Sequence, residues 1–290
     1  IDVGFLVKNL FHCPLKIKQI HAVRRVTDSV IFVYPVIICL PATFDIHQIF
    51  KIKRTCMLRK FLDDNARVIH PLYRQVPPRH LIKAGMNLSD VKVLCENYLL
   101  ENGADSFWYW DVGAFVFAGD ETAVSVSGKD YQVTDRTIQE NDIITIDLSP
   151  QKNNIWGDYA RTLVFENGVL CDEIDRIKND EWHNGLQMEE YLHKTLFDVA
   201  MPDMTFEKLY YYMNDVIAKK GFLNLDFLGN LGHSIVKNKN DRIYIEKGNH
   251  KRLSDVKMFT FEPHISIPDS KYGYKREDIY YFDNGKLMQL

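Results

Sequence analysis

Two stretches of this chain, 118 residues apart, read alike. From Met86 it runs MNLSDVKVLCENYLLENG, and from Met204 it runs MTFEKLYYYMNDVIAKKG. At that shift Leu88, Val91, Leu94 and Tyr98 fall on Phe206, Leu209, Tyr212 and Val216. Their three- and four-residue steps make the stripe of an amphipathic helix. Asn87 and Thr205 stand where an N-cap belongs, and Gly103 and Gly221 where a helix stops. Two amphipathic helices can match by chance, but the shared glycine spacing favours a duplicated α+β unit.

After each glycine the pattern turns to strands. FVFAGDETAVSVSG predicts a hairpin turning at Gly119-Asp120. IITIDLSP is a β-branched run, and WGDYARTLVFENG a second strand with an Asn167-Gly168 turn. A long helix is expected over about 173–199. KMFTFEPHISI and EDIYYFDNGKLMQL follow as strands, the second with its own Asn-Gly turn. Helices, strands, helices, strands in that order predict an α+β domain with an antiparallel sheet backed by helices.

Charge divides the chain unevenly. Residues 1–55 carry a net +5 and residues 56–290 a net −8. The first segment shows no clean period and holds no Met; Met57 is the first in the chain. It is expected to be an extension of uncertain status or a small subdomain, with the main domain over 56–290. The overall charge of −3 gives no support to nucleic-acid binding. The longest apolar run, 30–40, is interrupted by Pro35 and is shorter than the ~20 residues of a spanning helix, so it predicts a buried strand pair or irregular core and no membrane association. Five scattered cysteines with no CxxC suit a reducing, cytoplasmic compartment.

Certain acids stand where solvation is poor. Asp147 closes the apolar run IITID, and Asp158 lies 11 residues on within another strand-like run. Glu262 is flanked by apolar residues in FTFEPHI, and Glu277 is expected to begin the strand EDIYYF. Carboxylates are depleted in strand interiors and costly to bury unpaired; one such Asp is usually a turn or edge residue, but two facing each other on adjacent strands need a compensating cation. His233 follows a glycine at the end of a loop. A carboxylate-rich set with one imidazole suits manganese, iron(II), cobalt or zinc, and five such ligands can hold two ions.

At these residues the chain resembles the pita-bread metallopeptidases: methionine aminopeptidase, aminopeptidase P, prolidase and creatinase. The 11-residue Asp spacing, the GHSI string and the FTFEPHI string carry the likeness, over about 57–290. The resemblance implies a pita-bread fold of duplicated α+β halves around a curved sheet. It implies metal ligands at Asp147, Asp158, His233, Glu262 and Glu277, with Asp147 and Glu277 bridging two divalent ions (Mn, Co, Fe or Zn). Glu262 and His233 would then be catalytic, Glu262 as general acid–base. An aminopeptidase or Xaa-Pro peptidase acting on a peptide or small amide follows, with a homodimer as the family expectation.

The chain departs from the family in three places. The helix expected before Gly85 is interrupted by Pro71, Pro77 and Pro78. Where the family carries two further histidines, this chain has Asp130, before Tyr131, and Asn240. His264 is a candidate replacement. Trp156 and Arg161, with Asp130 and Tyr131, complete the candidate substrate contacts. These departures keep two other functions open: a family member acting on a small non-peptide substrate, and a metal-free binding protein on the same fold.

Overall fold

A computed structural model describes residues 30–33, 36–39, 81–226 and 228–290. The chain divides into two compact units, Ile1–Thr55 and Cys56–Leu290. In the first, β1 (Val30–Val33) and β2 (Val36–Cys39) pair antiparallel, with Val33 opposite Val36. The prolines at 71, 77 and 78 lie outside the described residues.

The second unit begins with α1 (Leu88–Glu101), capped by the Asn87 side chain, which accepts from the Ser89 N–H. Then come β3 (Ser106–Phe107), β4 (Ala114–Ala118), β5 (Asp142–Leu148), β6 (Pro150–Lys152), β7 (Ile155–Trp156), β8 (Tyr159–Glu166) and β9 (Val169–Leu170). Two helices follow, α2 (Asp180–Val199) and α3 (Phe206–Lys219), the latter capped by Thr205. The chain closes with β10 (Leu223–Asn224), β11 (Ser234–Ile235), β12 (Met258–Phe261), β13 (His264–Ser266), β14 (Tyr274–Asp283) and β15 (Lys286–Gln289). No helix among the described residues is long and apolar enough to cross a membrane.

The α+β expectation holds. One antiparallel sheet, strongly curled, runs β10-β13-β14-β8-β5-β4, and β9, β11, β12 and β15 extend it at the sides. The two echoed helices are both present and use equivalent faces. Leu88, Val91, Cys95 and Leu99 are buried in α1, and the residues 118 further on, Phe206, Leu209, Met213 and Ile217, are buried in α3. The buried stripe therefore passes through 95 and 99, not through Leu94 and Tyr98. α1 packs on β4, β5 and β8, whereas α2 and α3 pack on the half built from β12, β13 and β14.

Two local expectations are corrected. The hairpin at Gly119-Asp120 does not form. After β4 the chain makes a 3-10 turn over Gly119–Ala123, and β4 pairs instead with β5. The turn is held by the Thr122 hydroxyl, which donates to the Gly119 carbonyl, and by the Gly273 N–H, which donates to Thr122 Oγ1. The expected long helix starts later, at Asp180, because Asn179 caps it through the N–H groups of Glu181 and Trp182.

Register across the sheet decides what faces the cleft. Asp147 lies opposite Phe115 on one side and Ala160 on the other, and Ala160 lies opposite Glu277. Opposed residues of an antiparallel pair point to the same face. Phe115, Asp147, Ala160 and Glu277 therefore form one row. The adjacent row on that face is Phe117, Thr145, Thr162, Lys275 and His264, since Lys275 is two residues from Glu277 and is paired with His264. Arg161, Arg276 and Asp278 alternate onto the reverse face.

Candidate metal centre

The fully buried Ala160 separates Asp147 and Glu277 in their row with the smallest side chain a chiral residue has, which keeps room between the two carboxylates. Asp158 lies in the two-residue link between β7 and β8, two residues before Ala160, and so shares its face; it is not inside a strand. Glu277 sits in the interior of β14, not at its head. Glu262 immediately follows β12. His233 sits just before β11, bridged to Tyr244. Its position depends on Gly232: a Cβ there would lie 2.3 Å from the Thr260 carbonyl oxygen, and the backbone has φ +138°. Only glycine allows this close approach to β12.

One donor atom each from Asp158, His233 and Glu277 lie within 4.8 Å of one another, and all three residues are buried. His233 Nε2 is 3.4 Å from Asp158 Oδ2 and 3.6 Å from Glu262 Oε1. Its Nδ1 lies 3.3 Å from the Ser234 carbonyl, an arrangement that presents Nε2 to the acids. The rings of Trp108, Trp156 and Tyr244 stand 5.7–5.9 Å from the imidazole. Lys275 Nζ donates to Asp147 Oδ2 at 2.5 Å and lies 3.2 Å from Glu262 Oε2.

Burial sets the electrostatics. It lifts the Asp158 carboxyl to about 7; His233 opposes the lift, and Asp147 and Glu262 add to it. Burial pushes Glu277 well above the ordinary carboxylate range, and the charges of Asp158 and Glu262 push it further. Asp147 is also raised by burial, against the pull of Lys275. Burial would raise Glu262 too, but the positive charges of Lys275, His233 and Arg242 outweigh it and its pKa falls. Both oxygens of Glu277 are buried without a hydrogen-bond partner among the described residues. Two unpartnered carboxylate oxygens beside Asp158 and His233 make a donor set that fits a divalent cation.

Asp147, Asp158, His233 and Glu262 line a cleft of about 440 Å³, walled by Trp108, Tyr109, Phe115 and Phe117 and, on the other side, by Arg242 and Tyr244; Glu277 is fully buried behind them. Of the candidate substrate contacts, His264 lines the cleft, with Nε2 2.7 Å from the Thr122 carbonyl. Burial lowers its pKa to about 4, so it is neutral. Trp156 lies beneath the cleft, donating from Nε1 to the Val236 carbonyl. Tyr131 is turned away, its hydroxyl tied to the Val116 backbone. Asp130 is exposed beside Lys129. Arg161 is on the reverse face, bonded to Asp278 at 2.6 Å and to the Glu277 carbonyl at 2.7 Å. Alternation along β8 and β14 makes this unavoidable: Arg161 follows Ala160, and Ala160 faces the cleft.

Sequence reasoning missed Lys275 and Arg242. Arg242 lies over the Trp108 ring at 4.5 Å. Lys275 had a signal: it is two residues before Glu277 in a strand, and period two puts both on one face.

The fold belongs to the pita-bread class. An X-Pro aminopeptidase from Thermotoga maritima superposes with a TM-score of 0.65 at 19% identity, covering 80% of this chain and 60% of that one. A prolidase from Pyrococcus furiosus gives 0.65 at 18%, covering 86% and 73%. A methionine aminopeptidase from Thermotoga maritima gives 0.58 at 13%, covering 78% and 92%. Residues 62–284 match metallopeptidase family M24, and the chain belongs to that family. A curated relative, a Xaa-Pro dipeptidase of Lactobacillus helveticus, is 28% identical over 135 residues. That match spans 47% of this chain and about a third of the relative's length (34%).

Proposed function

We propose that the chain is a metal-dependent hydrolase that cleaves a peptide or amide bond near the N-terminus of a small substrate, with Xaa-Pro peptides as the first class to test. The observation that carries this reading is the buried trio of Asp158, His233 and an unpartnered Glu277, of which Asp158 and His233 line an aromatic cleft. Family membership and the peptidase activities for which the relatives are named support it.

A divalent ion held by Asp158, His233 and Glu277 would supply Lewis acidity, lowering the pKa of water and polarising the scissile carbonyl. In the two-ion arrangement that the resemblance implies, Asp147 and Glu262 would be the further donors. Glu262 would accept the proton of the attacking water and return it to the leaving amine. Its pKa, pulled down by neighbouring positive charges, suits it to begin as the base. Neutral His264, with one ring nitrogen engaged by Thr122, would offer the other to a substrate N–H. The aromatic walls would hold an apolar or proline ring and exclude water.

The test is a panel of Xaa-Pro dipeptides, Met-initiated peptides and small amides, assayed with and without Mn²⁺, Co²⁺ or Zn²⁺. Glu262→Gln should abolish hydrolysis while leaving the fold intact by circular dichroism; retained turnover would remove its assigned role. A second reading, a small non-peptide substrate, is favoured by one observation. Asp130 and Asn240, which stand where the family has histidines, both lie outside the residues lining the cleft. Turnover confined to the small amides would select it.

A further inference from the structure

The carboxylates of the site fall into two groups, and one group already has a cation. Lys275 Nζ spans Asp147 Oδ2, at 2.5 Å, and Glu262 Oε2, at 3.2 Å. These are the two expected ligands that lie outside the close trio of Asp158, His233 and Glu277. The two sets meet at Glu262, whose Oε2 faces Lys275 while its Oε1 lies 3.6 Å from His233 Nε2; no carboxylate oxygen of the trio receives a hydrogen bond from Lys275, and both oxygens of Glu277 are buried without a partner among the described residues.

The lysine is built into this place. It projects from β14 on the same face as Glu277 and is largely buried, with side-chain exposure of 17%. Its backbone N–H donates to Thr162 Oγ1 at 2.8 Å, and its carbonyl accepts from the same hydroxyl at 3.3 Å. Thr162 Oγ1 is in turn 3.0 Å from Thr145 Oγ1, so three adjacent strands fix the base of the side chain. A monovalent group held this way needs no open coordination sites, and it repels a dication brought to the same oxygens.

We infer that Lys275 takes the place of one of the two divalent ions, so that the protein binds a single ion, at Asp158, His233 and Glu277, with the ammonium neutralising Asp147 and Glu262. This rests on the metal-dependent reading above and narrows it to a one-ion site.

The test is metal stoichiometry, independent of turnover. The full chain is stripped with chelator, titrated with Mn²⁺ by calorimetry, and its bound metal counted by elemental analysis. Wild type and Lys275→Arg should take up one ion per chain, Lys275→Met two, and Asp158→Asn none. Two ions in wild type, or one in a folded Lys275→Met, would overturn the inference while leaving a metal-dependent enzyme standing. No ion in any variant would overturn both. Should Lys275→Met fail to fold, electron paramagnetic resonance of Mn²⁺-loaded wild type decides. An isolated-ion spectrum is expected, and a spin-coupled pair would overturn the inference.

Discussion

Asp158 shows how a functional acid is kept at a cost. Its carboxyl is buried, faces three other acids, and has the His233 imidazole 3.4 Å away. Replacing it by Asn removes a charge that the metal-free protein has trouble hosting. Asp158→Asn should therefore raise the melting temperature of the metal-free protein at pH ~8 and, in the same molecule, abolish stabilisation by added Mn²⁺. Thermal melts with and without metal check both arms; a destabilised metal-free variant would show that the carboxylate is satisfied by groups other than an ion. The acids themselves were legible from their order, the 11-residue Asp spacing and the FTFEPHI string, although Asp158 and Glu262 lie just outside strands. Lys275 offered only its spacing from Glu277; its burial was not legible, because a lysine among GYKRED reads as one more solvated charge. Its burial comes from strands β8 and β13 on either side, which sequence spacing does not reveal.

At the level of elements, the helices were readable and their starts and contact faces were not. Asn87 and Thr205 cap α1 and α3 as expected. Yet the buried stripe shifted to Cys95 and Leu99, because the sheet beneath decides which of two neighbouring apolar lines is covered. The hairpin at Gly119 failed for a related reason. The run after it, through Thr122, Val124 and Ser125, serves the wall of the cleft instead of pairing with β4. α2 meets the sheet at Gly185, where a Cβ would come within 2.3 Å of the Tyr274 ring. Gly185→Ala is helix-favouring in isolation but here must move Tyr274, the residue before Lys275. Overpacking of this kind should destabilise by about 1–3 kcal/mol despite the better helix propensity. Denaturant unfolding measures it, and an unchanged or increased stability would mean that the helix can lift without disturbing β14.

For the whole molecule, the acid cluster sets a pH signature. Asp158 has a folded pKa of about 7 against an ordinary value of 3.8. A group raised on folding contributes stability at low pH that is lost as pH rises through the folded value. The metal-free protein should therefore melt at a lower temperature at pH ~8.5 than at pH ~6.5. His193 and His264, lowered by burial to about 3 and about 4, erode stability only below their unfolded pKa near 6.5, so they do not mask the effect in this window. Saturating divalent ion should reverse the trend, since protons then compete with metal; an ion at 100 times its Kd adds about 2.7 kcal/mol. Melting curves across pH, with and without metal, decide it. The same ion would join the two halves of the chain, for Asp158 comes from the first and His233 and Glu277 from the second.

Because side chains on β14 alternate, its reading frame separates two incompatible chemistries. Lys275 and Glu277 share the face turned to the metal centre, while Arg276 and Asp278 tie into Arg161 and His193 behind it. A single residue inserted between Gly273 and Lys275 would exchange these sets, turning Arg276 and Asp278 toward the cleft and the metal-seeking carboxylate of Glu277 toward Arg161 and His193. The same insertion in the surface turn at Asp269 would leave that frame alone, so evolution has latitude in the loop that it lacks a few residues later.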